Sequence, residues 1–111
     1  MTEENTKRVA RQKKAPIFVI IGNPPYNAKQ VDENDNNRNR KYATIDEEVA
    51  DTYVRDSKAT LRVSLGDPYI KALRWSSNRL GQNGILALVT NNGFVEGLAA
   101  DGVRAHLIKD F

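Results

Sequence analysis

The residues with the clearest capacity for chemistry are four in a row, Asn23-Pro24-Pro25-Tyr26. A residue that precedes proline is pushed out of the helical region, so Asn23 and Pro24 are both held extended, and two fixed proline φ angles stiffen the turn. Neither proline carries an N–H. The turn therefore offers acceptors, the Asn23 side-chain oxygen and the Pro24 carbonyl, with few local donors to occupy them. A substrate nitrogen bearing two protons matches that pair. If the nitrogen is an exocyclic amine or a carboxamide, donating both of its N–H bonds to these acceptors draws its lone pair out of conjugation and makes it a better nucleophile, an electrostatic effect that needs no general base. Tyr26 adds a flat ring able to stack on a planar group, a contact worth roughly 1–3 kcal/mol for a nucleobase. The competing explanation is a rigid Pro-Pro turn with Asn as a local turn former. At roughly 5% per residue type, however, four fixed residues arise by chance in a chain of this size only about once in a thousand.

The elements around this turn are legible from hydrophobic patterning. Pro16 introduces a β-branched run at 17–21 with no polar alternation, as expected of a strand buried on both faces of a parallel sheet, and Gly22 ends it. In open parallel sheets the carboxyl edge of the strands is where ligands bind, and the four-residue turn stands there. Residues 27–41, dominated by Asn, Asp, Lys and Arg, bury too little to offset the entropy of ordering and read as a long mobile loop. Thr44 and Glu47 have capping-box spacing, and Ile45, Val49 and Tyr53 recur on one face of a helix that fades near Lys58. Asp67-Pro68 starts a second helix, with Ile70, Leu73, Ser77 and Leu80 as its inward stripe and Gly81 at its end. Asn83-Gly84 reads as a turn, 85–89 as a second buried strand, and 101–109 as a last helix. A helix between two buried strands implies a parallel crossover and an α/β fold.

Composition narrows the classes further. The 111 residues allow one modest core. Seventeen Lys plus Arg against fourteen Asp plus Glu leave +3, which suits a polyanionic partner without requiring one. The absence of cysteine excludes a disulfide scaffold, a cysteine nucleophile and a thiolate zinc site, and fits a reducing compartment. One histidine rules out a multi-histidine metal site. Both apolar runs are far shorter than a bilayer span and the first fifteen residues lack a signal-peptide stretch, so a cytoplasmic chain with no membrane partner is expected. Residues 1–15 hold Lys7, Arg8, Arg11, Lys13 and Lys14 and read as a charged, solvated lead-in segment, with a phosphate-contacting arm as the alternative.

The Asn-Pro-Pro-Tyr turn resembles motif IV of the amino methyltransferases, which use S-adenosylmethionine to methylate N6 of adenine, N4 of cytosine or the glutamine side-chain amide. The motif alone does not choose among the three. Asn34-Asp35-Asn36-Asn37, Tyr42, Ile45-Asp46, Thr52-Tyr53, Arg74-Trp75 with Ser77, Val89-Thr90-Asn91 through Phe94, and Asp101-Gly102 with Arg104 are similar to the methyltransferase core of type ISP restriction-modification proteins, over nearly the whole of residues 16–111. That resemblance implies a partial Rossmann-like methyltransferase fold, with parallel strands and crossover helices. It implies that Asn23 and Pro24 accept from N6 of an adenine flipped out of double-stranded DNA, with Pro25 completing the turn and Tyr26 stacked on the ring. Lys29, Arg38, Arg40 and Lys41 would contact phosphates beside the turn, unless they belong to a solvated loop balanced by Asp32, Glu33 and Asp35. Asn91, Asn92 and Phe94 would line the base pocket if the two strands are neighbours. Trp75 and Tyr69 are expected to pack the crossover helix on the sheet, His106 to be exposed, and Arg104 to pair locally with Asp101.

The family pattern also includes a Gly-rich loop for the cofactor, followed by an acidic residue for its ribose, and the sequence contains no G-x-G. The expectation is a charged lead-in at 1–15 and, at 16–111, the substrate-side half of a methyltransferase domain. The cofactor-binding half would come from a parent chain or a partner, and the chain would be inactive alone. Two other readings stay open: a fragment that methylates protein glutamine, and a non-catalytic nucleic-acid-binding remnant.

Overall fold

The computed structural model describes residues 2–25, 42–60 and 63–111. Tyr26 and the loop bearing Lys29, Arg38, Arg40 and Lys41 lie outside the described residues. The chain opens with α1 (Glu3–Lys14), for which the Thr2 hydroxyl accepts from the Asn5 N–H at 3.3 Å. Glu3 and Glu4 occupy its first turn and Arg11, Lys13 and Lys14 its last, the charge order that complements the helix dipole. It buries no side chain. Arg79 fastens its far end, donating to the carbonyls of Lys13, Gln12 and Ala15 at 2.9, 3.2 and 3.4 Å.

β1 (Ile17–Gly22) and β2 (Leu80–Leu88) pair in parallel, joined by a connection that contains α2 (Ala43–Val49), a π-helical turn (Ala50–Val54), a 3₁₀ turn (Val63–Gly66) and α3 (Pro68–Arg79). The mixed α/β architecture and the parallel crossover follow the expectation from sequence. The details of three elements do not. Helix α2 begins two residues early, with Tyr42 in the N-cap position in place of Thr44, and Thr44 with Glu47 is not its cap; instead the Asp46 carboxylate reaches back to accept from the Tyr42 N–H at 2.8 Å. Gly81 does not end α3, because β2 starts at once with Leu80. Asn83-Gly84 is not a free turn but lies inside β2, where pairing steps from Ile17–Leu80 to Val19–Ile85, two residues on one strand against five on the other. The extra residues form a bulge. A Cβ at Gly84 would come within 2.7 Å of the Leu80 side chain and 3.1 Å of the Phe18 carbonyl, so the bulge closes around a residue without one.

The core lies on one side of this sheet. Val49 and Tyr53 meet Leu65, Tyr69, Ile70, Leu73, Ala100 and Val103, with Leu86 and Leu88 packed against them from β2. Asp67 caps α3 as expected, accepting from the Tyr69 N–H at 3.3 Å, with Pro68 in the first turn. Arg74 is buried on α3, its charge over the Tyr53 ring (5.2 Å), bonded to Asn78 (3.0 Å) and paired with Asp110 at 3.5 Å. Burial raises the pKa of the Tyr53 hydroxyl, and the Arg74 charge opposes that rise. That hydroxyl lies near Ser77 but has no hydrogen-bond partner among the described residues, and the Ser77 hydroxyl donates to the Leu73 carbonyl at 2.9 Å. Trp75 departs from expectation: it is 48% exposed, while Tyr69 packs inward.

The opposite face of the sheet is uncovered among the described residues. Val19, Ile21, Ile85 and Val89 are 54, 78, 63 and 62% exposed, which corrects the expectation of strands buried on both sides. After β2 come α4 (Gly93–Glu96), a 3₁₀ turn (Leu98–Ala100) and α5 (Asp101–Asp110). Gly102 lets α5 approach the π-helical turn closely, since a Cβ there would stand 2.1 Å from the Tyr53 carbonyl oxygen. No helix among the described residues is long and apolar enough to cross a membrane.

Candidate functional site

The parallel ladder brings two loops to one edge. Gly22 pairs with Leu88, and the Val89 N–H donates to the Gly22 carbonyl at 2.9 Å, so the strands are neighbours up to their carboxyl ends. One residue further, Asn23-Pro24-Pro25 leaves β1 beside Val89, Thr90, Asn91 and Asn92 leaving β2. Asn23 and Pro25 are exposed and Pro24 is half-buried, and none of the peptide bonds is cis. The corner stands in solvent, not inside the core.

The second loop is held from three directions. Asn91 turns its side-chain oxygen inward to accept from the Gly93 N–H at 2.8 Å, while its residue and Asn92 remain exposed. Phe94 is half-buried, its ring tilted at 58° to Tyr69 with centroids 6.5 Å apart. Phe94 also lines an apolar groove of about 370 Å³ with Leu73, Leu86, Leu88, Thr90 and Leu107. Arg104 is expected to pair locally with Asp101, and its charge does help to lower the Asp101 carboxyl, but its hydrogen bonds go elsewhere. It reaches from α5 to donate to the Phe94 and Gly97 carbonyls at 3.0 and 2.8 Å. Those acceptors lie in the last turn of α4 and at its C-cap, where a cation is also favoured by the helix dipole, and the Gly97 carbonyl accepts from the Ala100 N–H as well. Sequence reasoning missed this because backbone carbonyls leave no trace in residue identity.

Asp101 is occupied elsewhere. Its carboxylate accepts from the Ser57 hydroxyl and from the Lys58 and Gly102 N–H groups, the latter two at 2.8 Å, and these bonds hold its pKa below the ordinary carboxylate value. His106 is not exposed as expected: its Nε2 lies 2.7 Å from the Asp56 carboxylate, and its ring meets Tyr53 edge-on at 5.6 Å. The Arg55 side chain first, and then His106, hold Asp56 down to about 2. Both clusters brace α5 against the segment after the π-helical turn and lie apart in sequence from the corner residues.

Gly22 is the described glycine nearest the corner, and a Cβ there would be in ordinary contact, 3.4 Å, with Leu88.

No protein-family model matches the chain, and no curated protein does. Among solved structures, 99% of the chain matches a part of DrdV in its complex with DNA, at 47% identity and a TM-score of 0.87. It also matches, over 96% of its length at 43% identity and a TM-score of 0.86, a nuclease-deletion mutant of the Type ISP restriction-modification enzyme LlaGI in complex with a DNA substrate mimic. A third match, over 92% of the chain at 45% identity and a TM-score of 0.79, is the ATP-dependent Type ISP restriction-modification enzyme LlaBIII bound to DNA. The chain spans only 11, 9 and 7% of the length of those three chains. It is therefore similar, over nearly all its residues, to one segment of much longer proteins solved on DNA, two of them Type ISP restriction-modification enzymes.

Proposed function

We propose that residues 16–111 are the substrate-side half of a Rossmann-like methyltransferase domain, working in a restriction-modification system on N6 of an adenine in DNA. The observation that carries this reading is the solvent-facing Asn23-Pro24 corner at the carboxyl end of a parallel strand. Its support is the 43–47% identity to segments of proteins solved in complex with DNA. N6 of a paired adenine is engaged and enclosed, so the base must leave the stack to reach the corner. There the Asn23 side-chain oxygen and the Pro24 carbonyl each accept a hydrogen bond from one N6–H, and one of those protons leaves to solvent once the methyl group is in place. Both bonds strengthen as the nitrogen becomes tetrahedral, which is where stabilisation accelerates reaction. Tyr26 stacks on the ring, Asn91, Asn92 and Phe94 border it, and Lys29, Arg38, Arg40 and Lys41 hold phosphates. S-adenosylmethionine, when bound, supplies an electrophilic methyl group, and residues beyond those described hold it. The isolated 111 residues are thus expected to be inactive.

The test is a methyl-transfer assay on nuclease-deleted LlaGI carrying this chain in place of the segment that it matches, offered labelled S-adenosylmethionine with either duplex DNA or a glutamine-bearing peptide. Label in N6-methyladenine is the expected result. Label on the peptide amide would assign the corner to protein glutamine, and steeply salt-dependent DNA binding without label would reduce it to a nucleic-acid-binding module.

A further inference from the structure

The crossover brings a third element to the edge where the corner stands. Helix α3 passes into β2 at Leu80 without a loop, so it folds back along the strand, and its first turn meets the residues that follow the strand's carboxyl end. Tyr69 makes that meeting: it is 4% exposed, and its ring packs on Phe94. Its hydroxyl goes further and lies against the loop backbone. A Cβ at Gly93 would stand 3.1 Å from the Tyr69 oxygen and 2.9 Å from the Asn91 oxygen that accepts from the Gly93 N–H. Gly93 is thus wedged between the two, and the loop carrying Asn91 and Asn92 sits on a hydroxyl sent from α3. Burial, and then the Asp67 charge, raise the pKa of that hydroxyl, so it keeps its proton at neutral pH. Arg104 holds the same loop further on, at the Phe94 and Gly97 carbonyls, which leaves Tyr69 as the contact nearer the paired strands.

We infer that Tyr69 is a positioning residue of the candidate site: by seating Gly93 it sets how far Asn91, Asn92 and Phe94 stand from the Asn23-Pro24 acceptors, and so how a planar substrate is held against them. The inference rests on the proposed function for the identity of that substrate. A phenyl ring at 69 would already supply the apolar contact with Phe94; the hydroxyl alone reaches Gly93. A small misplacement at a reacting centre costs rate, whereas affinity for DNA is dominated by phosphate contacts that this hydroxyl does not make. Its loss should therefore be read in turnover.

The test uses nuclease-deleted LlaGI carrying this chain in place of the segment that it matches, as the parent and with Tyr69→Phe, Gly93→Ala or both. Tyr69→Phe keeps the ring and removes the seat, so kcat for methyl transfer should fall about tenfold or more while Kd for DNA is unchanged. Gly93→Ala drives the loop off the same hydroxyl and should also lower kcat. In the double variant the new methyl group takes the space that the hydroxyl vacated, so it should turn over faster than Gly93→Ala alone, a recovery that simple loss of folded protein does not produce. Tyr69→Phe with the parent's kcat, or two effects that merely add, would overturn the inference. A parent that transfers no methyl group to DNA or to the glutamine-bearing peptide would instead count against the proposed function. The seat is then decided by amide exchange at Gly93 in the full chain: exchange about tenfold faster in Tyr69→Phe is expected, and unchanged exchange there rules the seat out.

Discussion

A single added methyl group at Gly102 sets two effects against each other. Alanine is the better helix former by roughly 0.5–1 kcal/mol, but its Cβ would sit 2.1 Å from the Tyr53 carbonyl oxygen and 3.1 Å from the Ser57 nitrogen. Backbone cannot yield as a side chain can, so Gly102→Ala should destabilise the chain by about 1–3 kcal/mol, the range of overpacked cores, as read from a urea melt. The carboxylates beside it make a prediction about pH. Asp101 is lowered by its hydrogen bonds, and Asp56 is lowered from 3.8 to about 2. A depressed acid binds its proton more weakly folded than unfolded, so its stabilisation is complete above the unfolded value and is lost as pH falls toward the folded one. The melting temperature should therefore decline between about pH 5 and pH 2, and Asp101→Asn should flatten that decline while lowering the plateau at neutral pH.

At the scale of elements, α1 depends on one distant side chain. Twelve residues are marginal for an isolated helix in water, and α1 buries nothing. The three carbonyls that Arg79 binds are therefore its anchorage. Arg79→Ala should remove about one turn or more of helical signal by circular dichroism while exchange in β1 and β2 stays slow. Arg104 plays the same part for the loop after β2, and Arg104→Ala should speed amide exchange through 91–97 without affecting α3. Neither tether is visible in sequence, because each joins a guanidinium to backbone oxygens of another element. What sequence displays well is periodicity. The apolar runs at 17–21 and 85–89 and the Asp67-Pro68 start were legible, and so was the place of Asn23 just past the carboxyl end of β1, because Gly22 closes the apolar run. Trp75 was misread because size and apolarity do not say which side of a helix the core takes. Asn83-Gly84 was misread as a turn ahead of the strand because β2 is already paired at Leu80, so those residues fall in an unpaired bulge between two paired stretches.

For the molecule as a whole, the uneven cover of the sheet is the property that sets its behaviour. Four β-branched side chains on one face, with the outer edge of each strand unpaired among the described residues, form a template for association. The chain alone should aggregate at rising concentration, and Ile21→Lys with Ile85→Lys should increase its soluble yield several-fold. The proposed function belongs to the same scale: in it the corner prepares one amino nitrogen and the methyl donor is held across from it. The most direct measurement is the rate of N6-methyladenine formation by the assembled enzyme, this chain within nuclease-deleted LlaGI, with and without Asn23→Ala. Loss of one of the two acceptors should reduce turnover by about 10²–10³ with little change in DNA affinity; turnover equal to that of the parent would contradict the role given to Asn23.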